Sequence, residues 1–285
     1  MPHRSSIPLR HVTHLLAEMQ TSINAAGIRL FDGDLDRFVI FTLIVRESAL
    51  WPIAGGSDPP RPISTYSLAQ SLGRSFETVR RHANALIAAG LCERTAQGVT
   101  VRNEALAEPR AAALMTLAHD CFVRFVVDLA VAGLKLPASR RNVAYDPPTG
   151  IRAAADTMLA VLDGNMPIHG EWLDLVLFST VACANLRGDP VVPVRPTGVA
   201  RAIGISQTTA HRRLGAMLAR GVLERDATGL RISDAWLARP EAIATSQASL
   251  GNIRRLLARV ATAGFPFDAP ESAYIEGRPP PVAFD

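Results

Sequence analysis

Residues 67–101 and 198–232 align without a gap at a constant offset of 131 positions, as between Ala69 and Ala200. Identical pairs include Gly73/Gly204, Ser75/Ser206, Thr78/Thr209, Arg81/Arg212, Gly90/Gly221, Glu93/Glu224, Arg94/Arg225 and Gly98/Gly229. Apolar pairs such as Leu72/Ile203 and Leu86/Met217 keep the same register. Two unrelated helical stretches can share apolar spacing, but sharing the turn glycines as well points to one supersecondary unit used twice. The offset continues through Phe122/Ile253, Arg124/Arg255, Leu129/Val260 and Gly133/Gly264. Upstream it slips, because Phe38–Ile44 best matches Leu175–Val181. A unit of roughly 130 residues is an ordinary domain size, so a first domain is expected over 1–137 and a second over 138–285.

Within one unit, Val12, Leu15, Leu16, Met19 and Ile23 recur at helical spacing, with Gly27 expected to end that helix. A second, strongly apolar helix is expected over Leu35–Ser48, then a Gly/Pro-rich loop over Trp51–Ile63. Ser67–Leu72 reads as a short helix. Gly73 follows it, and Ser75 is placed to cap a further helix that Gly90 terminates. Leu91–Arg94 and Val99–Arg102 flank a turn glycine and read as a hairpin, and a long helix over Glu108–Ala132 closes the unit. The second copy repeats the order, with helices near Ile151–Leu162, Glu171–Ala184, Val199–Ile203, Ser206–Arg220 and Pro240–Ala263 and a hairpin over Val222–Arg225 and Leu230–Ser233. Lys135–Gly150 is expected to be a connector, and the Pro-rich 266–285 an irregular tail.

Composition narrows the function classes. The net charge of +4 permits a nucleic-acid partner without demanding one, and Lys135 is the sole lysine, so the positive charge is almost all arginine. Cys92, Cys121 and Cys183 are odd in number and far apart, which gives neither a disulfide framework nor a zinc site. No apolar segment follows the basic N-terminus, and the longest apolar run, Phe38–Val45, is too short to cross a bilayer. We therefore expect a cytoplasmic chain with no membrane partner. Phosphate-loop, nucleophile-elbow, zinc-protease and dinucleotide fingerprints are all missing, so no enzyme, cofactor or metal is expected. His11 and His14, three apart on a helix, read as an exposed or satisfied pair rather than a metal site. Asp32, Asp34 and Asp36 read as helix N-terminal charge rather than a calcium loop.

The segments "SLAQSLGRSFETVRRHANALIAAGLCERTAQGVTV" and "GVARAIGISQTTAHRRLGAMLARGVLERDATGLRI" resemble the winged helix-turn-helix of bacterial transcription regulators of the MarR and IclR groups. The order of elements is most similar to a MarR-type subunit. That resemblance implies a mainly α fold with small β wings: two tandem winged helix-turn-helix domains forming a pseudo-twofold single-chain dimer, where MarR-type proteins pair two chains. It further implies double-stranded DNA as partner, with room for a small apolar effector between the apolar helices and for further homodimerisation. The residues it implies at DNA are Ser75, Phe76, Glu77, Thr78, Arg80 and Arg81 in the first copy. In the second they are Ser206, Gln207, Thr208, Thr209, His211 and Arg212, with Arg231 on the wing. Because Phe76-Glu77 faces Gln207-Thr208 across the repeat, the site read is expected to be asymmetric or an imperfect palindrome. Glu77 repels phosphate and the net charge is low, which favours an alternative: a tandem winged-helix scaffold for protein partners in a chromosome or replication assembly. A sensor or enzyme with incidental winged helices is the third reading.

Overall fold

Serine caps and N-terminal prolines set most helix starts. The computed structural model describes residues 9–48, 61–140 and 142–284. The first half runs α1 (Leu9–Leu30), α2 (Leu35–Ser48), α3 (Thr65–Leu72), α4 (Phe76–Ala88), β1 (Cys92–Arg94), β2 (Val99–Val101), α5 (Asn103–Leu106) and α6 (Pro109–Val131). The second half runs α7 (Pro147–His169), α8 (Trp172–Asn185), α9 (Pro196–Ile203), α10 (Gln207–Ala219), β3 (Leu223–Arg225), β4 (Leu230–Ile232), α11 (Asp234–Leu237) and α12 (Pro240–Thr262), with a 3-10 turn at Pro270–Ala273. The same kinds of element thus follow one another in the same order in each half. Ser64, Ser75 and Ser206 cap α3, α4 and α10 by accepting a backbone N–H three residues on. Pro109, Pro147, Pro196 and Pro240 stand at the first position of α6, α7, α9 and α12, where the missing N–H costs nothing.

Several expectations are corrected. Gly27 does not end α1. It lies buried inside the helix, where a Cβ would run into the ring of Phe38 on α2, so its role is close packing. Pro147 and Pro148 are not linker residues but the opening turn of α7, which starts before the expected Ile151 and runs on to His169 past Pro167. The four-residue helices α5 and α11, between wing and long helix, were not foreseen. Trp51 and most of the Gly/Pro-rich stretch after α2 lie outside the described residues, as do His3 and Arg4.

The core is built around four long helices. α1 packs on α6, α6 on α7, and α7 on α12, while α1 also covers α8 and α9 and α7 touches α2. Each helix-turn-helix is therefore supported partly by a helix from the other half. Phe122, Tyr145, Phe265 and Phe267 form edge-on and tilted ring contacts where α6, the chain before α7 and the chain after α12 converge. All three cysteines are buried thiols; burial pushes Cys92 and Cys183 up to about 12. No helix among the described residues is long and apolar enough to cross a membrane.

A buried ionic knot joins the halves. Glu18 of α1, 8% exposed, lies 3.7 Å from Arg124 of α6, 3.5 Å from Arg187 after α8 and 3.7 Å from His14, and accepts the backbone N–H of Val282 at 2.9 Å. The tail is thus irregular as expected, yet fixed. Arg124 donates to the carbonyls of Pro279 and Pro280, Arg187 to that of Val282, and the tail ends against Gly198 of α9, where a Cβ would meet the Phe284 carbonyl.

Candidate nucleic-acid interface

The angle between α3 and α4, and between α9 and α10, depends on one residue each. Gly73 (φ +59°) and Gly204 (φ +76°) adopt the left-handed conformation that L side chains avoid, and each N–H closes back on the preceding helix. Ala69 and Ala200 are buried at the crossings, as small residues there require. Two residues after each glycine, Ser75 and Ser206 sit at the same φ and ψ, −63° and 141°, and start α4 and α10.

These caps assign the hydroxyls. Ser75 accepts from the Thr78 N–H at 3.2 Å and donates to the Thr78 hydroxyl at 2.8 Å; Ser206 does the same with Thr209 at 3.1 and 2.8 Å. The serine protons are committed within the cap, which leaves the threonine hydroxyl hydrogens as the donors available to an incoming phosphate.

On α4 the buried side is Val79, Ala83 and Leu86, with His82 beside them. His82 lies 3.4 Å from Asp34 at the start of α2. At the matching position of α10, Arg213 lies 3.5 Å from Asp174 of α8, which Arg220 also contacts at 2.9 Å. An acid at the N-terminal end of the supporting helix, Asp34 just before α2 and Asp174 in the first turn of α8, thus contacts the second helix of each pair. Asp34 also caps α2 through the Arg37 N–H, and Asp36 pairs with Arg74, which accounts for two of the three aspartates in the cluster. The wings are tied down likewise: Ser48 accepts the Val101 N–H at 2.9 Å, and Asn185 accepts the Ile232 N–H at 2.9 Å. Gly98 and Gly229 let each hairpin approach a third short stretch, through bridges Ile63–Val99 and Val194–Leu230; a Cβ on either glycine would strike that backbone.

The outward faces differ. On α4, Phe76, Glu77, Arg80, Arg81 and Asn84 are exposed. Glu77 accepts both a 2.8 and a 2.7 Å bond from Arg80, and that guanidinium, with a further pull from Arg81, holds its carboxyl below the ordinary range. Arg80 is thereby neutralised within its own helix. Arg94 on the first wing donates to the Asn84 side-chain oxygen at 2.7 Å. On α10, Gln207, Thr208, His211 and Arg212 are exposed and the helix carries no acid. Among the described residues no ion pair engages Arg212. The second wing is less open than its sequence suggests, since Arg231 pairs with Glu224 at 2.8 Å and Asp226 closes the turn on the Thr228 and Gly229 N–H groups.

Comparison with known proteins gives one match. Residues 191–227, which contain α9, the Gly204 turn, α10 and β3, match the model of the IclR helix-turn-helix domain. The second half therefore carries a helix-turn-helix of IclR type with an attached β hairpin. No curated protein and no solved structure matches the chain.

Proposed function

We propose that this chain is a DNA-binding transcription regulator in which α10 is the principal reading helix and α4 a second, unequal one, the two halves of a duplicated chain standing in for the two subunits of a dimer. The observation that carries this reading is the acid-free outward face of α10, within the segment that matches the IclR helix-turn-helix. Gln207 suits adenine and Arg212 suits guanine in the major groove, while Thr209 and the α10 N-terminus suit a phosphate. Because Phe76, Glu77 and Arg80 stand where α10 has Gln207, Thr208 and His211, the preferred site is asymmetric or an imperfect palindrome. If both helices engage, their half-sites lie about 34–36 Å apart.

Site selection from random duplexes, followed by anisotropy titration at several salt concentrations, tests the reading. Arg212→Ala is expected to weaken specific binding by about 1–3 kcal/mol and to relax one base position. Unchanged affinity and unchanged preference in that variant would remove α10 from the interface. Glu77→Gln releases Arg80 and is expected to steepen the salt dependence by about one phosphate contact; an unaltered slope would exclude α4 from the duplex.

That last outcome would favour the other reading, a protein-binding role for the first module. Its specific support is the exposure of Tyr66 on α3 and Phe76 on α4 (68% and 50%) beside the self-neutralised Glu77–Arg80 pair.

A further inference from the structure

Two corresponding spaces lie where a supporting helix, a long helix and the two central helices α1 and α7 meet. The first, under α2 and α6, is a residual cavity of about 30 Å³. The second, under α8 and α12, is about 90 Å³ and is also walled by Trp236 of α11. Their walls match position by position. Phe41 and Thr42 face the first where Phe178 and Ser179 face the second. Ile151, Ala154, Ala155 and Met158 of α7 line the first at the spacing with which Thr13, Leu16, Ala17 and Gln20 of α1 line the second.

The chemistry differs in one direction only. Leu114, Met115 and Ala118 of α6 become Thr245, Ser246 and Ser249 on α12, at the repeat offset. Ile151 and Met158 become Thr13 and Gln20. Five apolar groups of one space are thus polar in the other, and the volume they vacate stays open. Thr13, Thr245, Ser246 and Ser249 are half-buried around the mouth of the space, and Gln20 lies fully inside it. Gln20 is 4% exposed and its Nε2 has no hydrogen-bond partner among the described residues, which is costly in an interior unless something else accepts from it. No charged side chain lines the space. An engineered apolar cavity of about 150 Å³ takes up benzene, so the occupant here is smaller than that or projects outward. Past Leu16, Val161 and Ser249 a further space of about 260 Å³ between α7 and α12 provides that exit.

We propose that the cavity under α8 and α12 is a binding site for a small uncharged molecule carrying an acceptor oxygen. Its apolar body packs on Phe178, Leu175 and Trp236, and its oxygen accepts from the Gln20 amide. The site is single per chain and needs both halves, since Gln20 comes from α1 and the hydroxyls from α12. The proposal does not depend on DNA binding and is tested without DNA.

The test titrates the full chain with cyclopentanone and follows the Trp236 indole and Gln20 side-chain amide resonances. Saturable shifts of both are expected. Gln20→Leu is expected to weaken binding at least tenfold. Thr245→Leu/Ser246→Met/Ser249→Ala, which gives α12 the three wall residues of α6, is expected to abolish the Trp236 shift while leaving the fold intact. Should that triple variant fail to fold, Ser249→Ala and Gln20→Leu carry the test. An equal response to cyclopentane, to butyrate or in Gln20→Leu would overturn the assignment, as would no response at all.

Discussion

Replacing Asp120 by alanine is expected to destabilise the chain by about 3–5 kcal/mol, since each buried donor left without its acceptor costs about 1–3 kcal/mol. Asp120 on α6 is 2% exposed. One oxygen lies 2.7 Å from His119 Nδ1 and accepts the Ile275 N–H at 2.9 Å; the other accepts the N–H groups of Glu276 and Gly277 at 3.0 and 3.1 Å. The second nitrogen of His119 meets the Tyr145 hydroxyl at 2.8 Å, and Gly150 of α7 leaves the room those two groups occupy. Alanine would leave three tail N–H groups and a buried imidazole without their acceptor. The damage is expected to travel, because the same tail passes Arg124 and Glu18 and ends on α9. Two measurements check this: the urea midpoint, and protease cleavage within 275–284, which should become rapid in Asp120→Ala while the body stays intact. A stability loss under about 1 kcal/mol with a still-protected tail would show that the carboxylate does not anchor it.

The elements of the site were legible because their signals are local. A left-handed glycine followed two residues later by a capping serine, repeated at Gly73-Ser75 and Gly204-Ser206, fixes both helix-turn-helix corners without reference to the rest of the chain. The Glu77–Arg80 pair was open to the same inspection, being three residues apart on a helix. What escaped depends on distant partners. Gly27 reads as a terminator until Phe38 is known to lie over it. Pro147 and Pro148 read as linker because proline marks helix starts and loops alike. The contact of His82 with Asp34 and the pairing of Arg231 with Glu224 appear only once the helix packing and the hairpin register are known. The Glu18 knot joins residues more than a hundred positions apart, and no periodicity reports it. The polar cavity is intermediate: the three exchanges between α6 and α12 stand in the sequence at the offset of 131, but only the packing shows that they converge with Thr13 and Gln20 of α1.

Lowering the pH from 7 to 4 is expected to cost the fold on the order of 3 kcal/mol through His169 alone, most of it before any carboxylate titrates. His169 ends α7, is 2% exposed, and packs at a tilt on Phe178 and Trp236 at ring separations of 4.6 and 5.6 Å, with neither nitrogen hydrogen-bonded among the described residues. Burial, helped by the nearby positive charge of Arg220, pushes it down from 6.5 to about 4. Above 6.5 the ring is neutral in both states and the contribution is complete. Below that, the unfolded chain gains a proton that the folded chain refuses, so stability falls until the folded group itself titrates near 4, at about 1.4 kcal/mol per unit of displacement. His14 and His119 are lowered in the same direction, chiefly by burial, and add to the slope. Asp120 acts in a lower window. Burial pushes its carboxyl up, but the Ile275 N–H, His119 and the next two tail N–H groups outweigh that and hold it below its ordinary value, so its contribution is lost only as pH falls beneath the normal carboxylate range. The decisive comparison is His169→Phe, which keeps the ring cluster and deletes the titration. Its urea midpoint should vary less between pH 7 and 4.5 than that of the unaltered chain and should exceed it at the acid end. Parallel curves for the two proteins would mean that His169 accepts its proton without opening the ring cluster, and that the acid sensitivity of the second half arises elsewhere.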